Sequence, residues 1–367
     1  MKVICDRGAL AEALNLAGGV VVSRTPKPVL TCVKLTAGDG VLTLAATDLE
    51  IALHRRIEQV EVSEDGEALI PADRLSAIVR ESADPTLTLE TDADAAHVRG
   101  ADSHYKIFGY PAADFPPVKP FTGDADYQIS AGNLVDLISK TLFATARENS
   151  RYAINGVLME RDGRKLTMVA TDGRRLALAR GSVGGDGEAA PSNVIVPTKA
   201  LHLLERLLDD PSEDVNVRIA DNQAMFATES TTLTTNLVEG NFPPYQDVVP
   251  KDQDKKATFA TDTLASGVRR AALLTNEESK GVRMSFTDEQ LVLSSRAPEM
   301  GEATVNVPVE GYQGEAIEIG FNPQFVTDVL KVVDSDQVTI EMKAPNKPGT
   351  LKAGSDFTYV VMPISLG

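Results

Sequence analysis

Little in this 367-residue chain is spaced for covalent chemistry. Its four histidines, His54, His97, His104 and His202, are scattered, with no nucleophile at catalytic spacing beside them. Gly184-Gly-Asp-Gly187 lacks the Lys-Ser/Thr of a phosphate-cradling loop and reads as a flexible connection. Asp92 and Asp94 alternate in a strand or turn, where solvation is a simpler reading than metal ligation. The two cysteines, Cys5 and Cys32, show no zinc-binding spacing and read as small buried thiols of a reducing compartment. No catalytic residue, metal or cofactor is expected.

The stretch that stands out is Val169-Ala-Thr-Asp-Gly-Arg-Arg-Leu176. By itself Asp172-Gly173 marks a tight turn. An echo, Ala45-Ala-Thr-Asp-Leu-Glu-Ile-Ala-Leu53, lies earlier, so that Ala-Thr-Asp starts at 46 and again at 170. An offset near one third of the chain is too long for a solenoid repeat and fits a domain-sized unit. The expectation is several copies of one domain, one of which carries something extra at this turn.

The elements that must position the turn repeat with it. A strand followed by a helix with Leu10, Leu14 and Ala17 on one face stops at Gly18-Gly19. Strands are expected over 29–35, 41–46 and 51–57, with Asp39-Gly40 as a hairpin signal. Ala68-Leu-Ile-Pro71 leads into a helix over 72–80, and further strands run over 86–107. The programme restarts at Tyr127, with a helix carrying Leu134, Leu137, Ile138 and Leu142. Strands are expected over 156–160 and 166–170. Asn193-Val-Ile-Val-Pro197 then leads into a helix with Leu201, Leu204 and Leu208. A third pass has a helix over 262–274, strands over 281–287, 290–295 and 301–307, and a helix over 324–333. About six short helices among runs of hairpin-linked strands indicate an α+β class. The copies are bounded as 1–122, 126–250 and 257–367, separated by Pro-rich and charged linkers.

Apolar residues make up 43% of the chain, enough for real cores. No apolar run approaches the roughly eighteen residues of a membrane span. The N-terminal residues lack the apolar centre of a secretory signal, so a cytoplasmic protein is expected. The formal net charge is −17, which taken as a sum argues against nucleic acid. Its distribution matters more. On the expected helices, basic residues (Arg7, Arg74, Arg80, Lys140, Arg147, Lys199, Arg206, Arg269, Arg270 and Lys331) roughly balance the acidic ones, so the acid excess lies on strands and loops. Ordinary solvated helix faces and one DNA-facing surface both fit that pattern.

Joint motif order makes the chain specific. It contains Ala-Thr-Asp-Leu-Glu at 46–50, Pro-Ala-Ala-Asp-Phe-Pro at 111–116, and Arg151-Tyr-Ala-Ile-Asn-Gly156. Ala-Thr-Asp-Gly-Arg-Arg-Leu follows at 170–176, then Asn276-Glu277 with Gly281-Val-Arg283, and the tail Tyr359-Val-Val-Met-Pro363. Over essentially its whole length the chain resembles the bacterial DNA sliding clamps, the β subunits of the polymerase III holoenzyme. The resemblance implies three similar clamp domains, with helices lining a central hole, antiparallel sheets outside, and two protomers closing head to tail into a ring. Such a ring is a non-catalytic processivity factor that holds duplex DNA by topology rather than base readout. Its implied partners are the replicative polymerase catalytic subunit, the clamp loader, and repair and translesion polymerases, with no membrane. A protein-interaction scaffold that never encircles DNA is the alternative.

The resemblance also implies sites. Partner peptides with apolar anchors would enter a pocket of Ile154, Thr171, Gly173, Arg174, Arg175, Leu176, Pro243, Val248, Asn322, Phe325, Val360, Met362, Pro363 and Ile364. Arg175 would fix the peptide's polar atoms. Asp247 and Ser365 stand where relatives can be basic, which would alter the charge preference of the rim. Arg24, Arg147, Asn149, Arg151, Tyr152 and Lys199 would touch DNA. Ala153 replaces a second aromatic beside Tyr152, weakening any stacking on single strands. Tyr105 and Ile107 of one subunit would meet Leu273 and Leu274 of the next; intradomain core is the other reading of those four.

Overall fold

A computed structural model describes residues 1–92, 95–146, 154–185, 191–275, 281–298 and 300–365. The chain folds as two compact units, Met1–Gly132 with Lys199–Leu237, and Asn133–Thr198 with Val238–Gly367. The middle third of the sequence is thus divided between them.

The six α-helices of the described residues fall where the apolar stripes place them. They are α1 (Arg7–Ala17), α2 (Ala72–Glu81), α3 (Ala131–Leu142), α4 (Thr198–Leu207), α5 (Thr261–Ala271) and α6 (Pro323–Leu330). On α1, Leu10, Leu14 and Ala17 are buried, and Asp6 caps the first turn by accepting from the Ala9 N–H at 2.8 Å. On α5, Leu264, Val268 and Ala271 are buried. Gly267 lets this helix approach strand Gly301–Pro308 closely: an added Cβ there would meet Val307 Cγ2 at 2.4 Å.

In the first unit a five-stranded sheet runs Val60–Glu64, Lys2–Asp6, Thr86–Thr91, Ala95–Arg99, His104–Phe108. An eight-stranded sheet places Tyr127–Ser130, Asp214–Ala220, Gln223–Ala227 and Thr231–Asn236 beside Ile51–Ile57, Val41–Thr47, Cys32–Gly38 and Gly66–Pro71. The second unit repeats the device. Its nine-stranded sheet runs Ser192–Pro197, Gly156–Asp162, Lys165–Thr171, Arg175–Ser182, and then Phe357–Val361, Gly349–Ala353, Gln337–Met342, Lys255–Ala260, Gly311–Gln313. A four-stranded sheet completes it: Gly301–Pro308, Gln290–Ala297, Val282–Phe286, Ile317–Phe321. Among the described residues the ladders are antiparallel throughout, as expected from hairpin-linked strands. Each of the two larger sheets joins strands from neighbouring thirds of the sequence. Backbone pairing of this kind removes edges that each third would otherwise expose, and it explains why the compact units cut across the sequence repeat.

The Ala-Thr-Asp echo is a structural repeat down to its hydrogen bonds. Thr171 Oγ1 donates to the Arg175 carbonyl at 2.6 Å and accepts from Gly173 N–H at 3.1 Å. Thr47 Oγ1 donates to the Ile51 carbonyl at 2.8 Å and accepts from Leu49 N–H at 3.0 Å. Asp172 Oδ1 accepts from the N–H groups of Arg174 and Arg175, and Asp48 Oδ1 from those of Glu50 and Ile51. Short polar side chains thus close the same turn twice. The residue after Asp has positive φ in both, 86° at Gly173 and 79° at Leu49.

Three expectations are corrected. Residues 28–31 form a 3-10 turn, not the start of a strand; Pro28 opens it, Thr31 Oγ1 donates to the Pro28 carbonyl at 2.7 Å, and the strand begins at Cys32. The helices expected over 262–274 and 324–333 end at Ala271 and Leu330. Strands Val60–Glu64, Arg175–Ser182 and Gly311–Gln313 were not foreseen. The first and last of these end their sheets with no fully buried residue.

Leu49 holds a left-handed conformation that costs a branched side chain roughly 1–2 kcal/mol. Leu49→Gly is therefore expected to raise the urea midpoint, through a stability gain of up to about 1 kcal/mol after the glycine's own entropy cost. Gly173→Leu should lower stability by about 1–2 kcal/mol, since a Cβ there meets nothing within 4 Å and only the backbone is penalised. Unchanged midpoints would show that these turns do not hold the stated conformation.

Candidate functional site

The turn after Thr171 is built around a buried cation. Arg175 begins strand Arg175–Ser182, and its side chain is only 8% exposed. Its guanidinium donates from Nε to Asp172 Oδ2 at 2.9 Å, from Nη1 to Asp328 Oδ2 at 2.8 Å, and from Nη2 to the Phe143 carbonyl at 2.9 Å. It also lies 4.5 Å from the Phe325 ring centroid and 5.6 Å from that of Phe143. Burial pulls the guanidinium pKa down, but Asp328, Tyr359 and Asp172 outweigh it and the group is held above its ordinary value. Tyr359, in the paired strand, donates its hydroxyl to the Phe325 carbonyl at 3.0 Å; burial pushes this phenol up. Arg175 thus fastens the turn to α6 and to the segment after α3. With three donors committed inside the chain, Arg175 has a structural use beside the peptide contact expected of it.

Around this rivet the strands bring the other residues together. Leu176 and Val360 are cross-strand partners and share a buried cluster with Leu158, Val169, Leu178, Ile195 and Tyr245. Tyr245 anchors the Pro-rich segment: its hydroxyl donates to Glu160 Oε2 at 2.6 Å, and Phe242 and Val249 pack against the cluster. Pro243 is half-buried and Val248 is exposed on either side of it. The tail continues the strand past Val361, with Met362 N–H donating to the Arg174 carbonyl at 2.9 Å and Ile364 N–H to the Gly320 carbonyl at 2.8 Å. A groove of about 430 Å³ is lined there by Met362, Pro363, Ile364, Ile319 and Pro345, with the Arg283–Glu318 ion pair at its side. Asn322 caps α6 by accepting from the Gln324 N–H at 2.9 Å, and Phe325 is half-buried one turn on. Ile154 and Thr171 are buried, whereas Gly173, Arg174 and Met362 are exposed. Asp247 and Ser365 are exposed too.

Sequence reasoning missed the residues that hold the site: Phe143, Asp328, Tyr245 and Tyr359. Asp172 had a signal, which read as a turn, and Tyr359 stood in the tail motif without a role of its own. The other candidates are dispersed. Arg24 is exposed in the loop after α1. Lys199 is bound to Asp48 at 2.5 Å. Arg147, Asn149, Arg151 and Tyr152 lie outside the described residues, as do Ala153, Asp94, Asn276 and Glu277. Tyr105 is 43% exposed and Leu273 72%, while Leu274 is half-buried. Ile107 belongs to the core of its own sheet, the other reading of that position, and the unforeseen Phe108 is 72% exposed. Among the described residues no group of three or more His, Cys, Asp or Glu is placed to hold a metal, and no helix is long and apolar enough to cross a membrane.

Removing one partner of a buried ion pair leaves the other charge uncompensated, typically at about 3–5 kcal/mol. Arg175→Ala is expected to destabilise the chain by an amount in that range in urea unfolding. Arg175→Lys should recover only part of it, because an ammonium cannot span two carboxylates and a carbonyl in one plane. A loss below about 1 kcal/mol for the alanine variant, the size expected of a surface pair, would show that the rivet is dispensable.

Three family models match in order: the N-terminal, central and C-terminal domains of the DNA polymerase III beta subunit, over residues 1–119, 128–244 and 246–365. The chain is 36% identical to the beta sliding clamp of Pseudomonas putida and 33% identical to that of Escherichia coli strain K12, in both cases over 100% of both chains. The crystal structure of the DNA polymerase sliding clamp from Pseudomonas aeruginosa superposes with a TM-score of 0.92 at 32% identity, and that from Bacillus subtilis with 0.95 at 25%, each covering 100% of both chains. The riveted Thr-Asp-Gly-Arg turn and its repeat therefore belong to a member of the DNA polymerase III beta subunit family, the beta sliding clamps.

Proposed function

We propose that this chain is a processivity factor that dimerises head to tail, encircles duplex DNA, and tethers the replicative polymerase and other proteins by short peptides. It acts as a non-catalytic accessory subunit. The clamp loader and the repair and translesion polymerases are its further partners, and its three repeats are bounded as 1–122, 126–250 and 257–367. The observation that carries the ring is a pair of open sheet edges. Strand His104–Phe108 ends its sheet with Tyr105 and Phe108 exposed. Strand Gly301–Pro308 ends another, with the exposed Leu273 in the neighbouring 3-10 turn. Edges left open with apolar side chains invite pairing with another chain, and a heterologous contact that closes gives a ring.

Peptide capture is assigned to the groove beside the tail. Ile319, Pro345, Pro363 and Ile364 give it apolar walls, which suit anchors such as Leu or Phe, with the exposed Met362 as an adaptable wall. DNA contact is assigned to Arg24 and to Arg147, Asn149, Arg151 and Tyr152, with Lys199 contributing only if it leaves Asp48. Weak phosphate contacts suit a ring that slides.

Two experiments test this. Loaded onto nicked circular DNA by a clamp loader and washed at high salt, the protein is expected to stay on the circle and to leave once the circle is linearised. Equal, salt-sensitive loss from both forms would replace the ring by ordinary electrostatic binding, and a failure to load would favour a scaffold that never encircles DNA. Separately, Leu273→Glu with Leu274→Glu should halve the solution mass measured by light scattering; an unchanged mass would refute the assigned dimer contact.

A further inference from the structure

The outer face of the five-stranded sheet brings together two of the four histidines, which are seven residues apart in sequence. His97 lies in strand Ala95–Arg99 and His104 in the adjoining edge strand, one diagonal step away in the antiparallel register. His97 Nδ1 and His104 Nε2 are 2.9 Å apart. The ring planes lie within 25° of each other and the centroids are 5.1 Å apart, so the nitrogens meet through the ring edges rather than the faces. The second nitrogen of His97, Nε2, is 2.9 Å from Asp92 Oδ2. Asp92 is itself positioned, since its Oδ1 accepts from the Ala95 N–H at 2.9 Å.

We propose that His97 and His104 form a two-imidazole binding site for a borderline divalent transition metal ion of the zinc class, with Asp92 as the carboxylate that orients His97. The proton logic supports this. A carboxylate facing Nε2 holds the proton there and leaves the lone pair on His97 Nδ1, which accepts from His104 Nε2–H; the metal takes the place of that shared proton, which is released to solvent as His104 turns its Nε2 lone pair to the ion. Two zinc–nitrogen bonds of about 2.0–2.1 Å at a tetrahedral angle place the nitrogens about 3.3 Å apart. The observed separation reaches that value by a small side-chain swing. His97 is 15% exposed and held, while His104 stands on the solvent side, so water can complete the coordination.

The cations facing the site are largely matched. Arg99 pairs with Glu90 at 3.7 Å, and Lys106 approaches Asp92 at 3.9 Å. His104 and Lys106 alternate with Tyr105 and Ile107 along the strand, so the metal face is not the face of the latter two. A bound ion would staple the edge strand to its neighbour.

The test is calorimetric titration of the full chain with zinc chloride at about pH 7.5, where imidazoles are mostly neutral. One zinc per chain is expected. His104→Gln and His97→Gln should abolish binding, and His54→Gln and His202→Gln should preserve it. Asp92→Asn should weaken it by about tenfold to a hundredfold. Binding should also vanish near pH 5.5, as ligand protonation competes with the metal. Undiminished binding by His104→Gln, or no saturable heat from the wild-type chain, would overturn the assignment. Because His104 is exposed, its variant leaves the core untouched, and an unchanged circular dichroism spectrum checks this.

Discussion

Strand Arg175–Ser182 is the member on which the second unit depends. It is paired on both edges, with Lys165–Thr171 on one side and Phe357–Val361 on the other. The second pairing carries the end of the chain across from a different sequence repeat. Side chains alternate along a strand, so Arg175 lies on the opposite face from Leu176 and Leu178. Those two leucines enter the apolar cluster, and the guanidinium enters a cage of two carboxylates, a carbonyl and two aromatic rings. A slip of one residue would exchange the faces, leaving a cation in hydrocarbon and leucines against carboxylates. The register is therefore fixed from both sides, and with it the place of the tail and its groove.

The first unit shows what happens when the same frame is kept and the cage is not. Strand Ile51–Ile57 pairs with Thr231–Asn236 just as Arg175–Ser182 pairs with Phe357–Val361, and the Asn236 N–H donates to the Glu50 carbonyl as that of Met362 donates to Arg174. Ile51 stands in the place of Arg175, and Asp48 finds Lys199 instead. Thr and Asp set the turn's backbone, so the residues that follow are free to diverge. One copy closes on an ion pair near the surface, while the other encloses a cation beside a groove.

Charge follows a related pattern. Several cations expected to make the helices a basic face lie beside carboxylates: Lys140 beside Asp136, Arg80 beside Glu81, Lys331 beside Asp328, and Lys199 beside Asp48. Exposed pairs such as Arg80–Glu81 add little stability, but they flatten the local field. A surface of this kind suits weak, sequence-independent phosphate contact more than tight binding.

The sequence by itself determined the α+β class, the helix positions, the repeated turn and the family. Each rests on local signals: one buried face recurring at helical spacing, a Thr-Asp pair that bonds its own backbone, and motifs in fixed order. Leu10, Leu14 and Ala17 announced α1, and Asp39-Gly40 announced its hairpin, with φ of 51° and 75°. The tertiary structure alone decided what the residues do. Strand Val60–Glu64 went unread because its alternation is only Val60-Glu-Val62, and in the fold none of its residues is fully buried. The internal partners of Arg175 were hidden because nothing near it in sequence reveals Asp328, 153 positions away. Ile107 is buried and Phe108 exposed because only the sheet fixes which of them faces inward. His97 and His104 looked scattered until a cross-strand register set their nitrogens 2.9 Å apart. Periodicity reports which face of a segment is buried; which distant segment covers it is decided by strand pairing, a property of the folded chain as a whole.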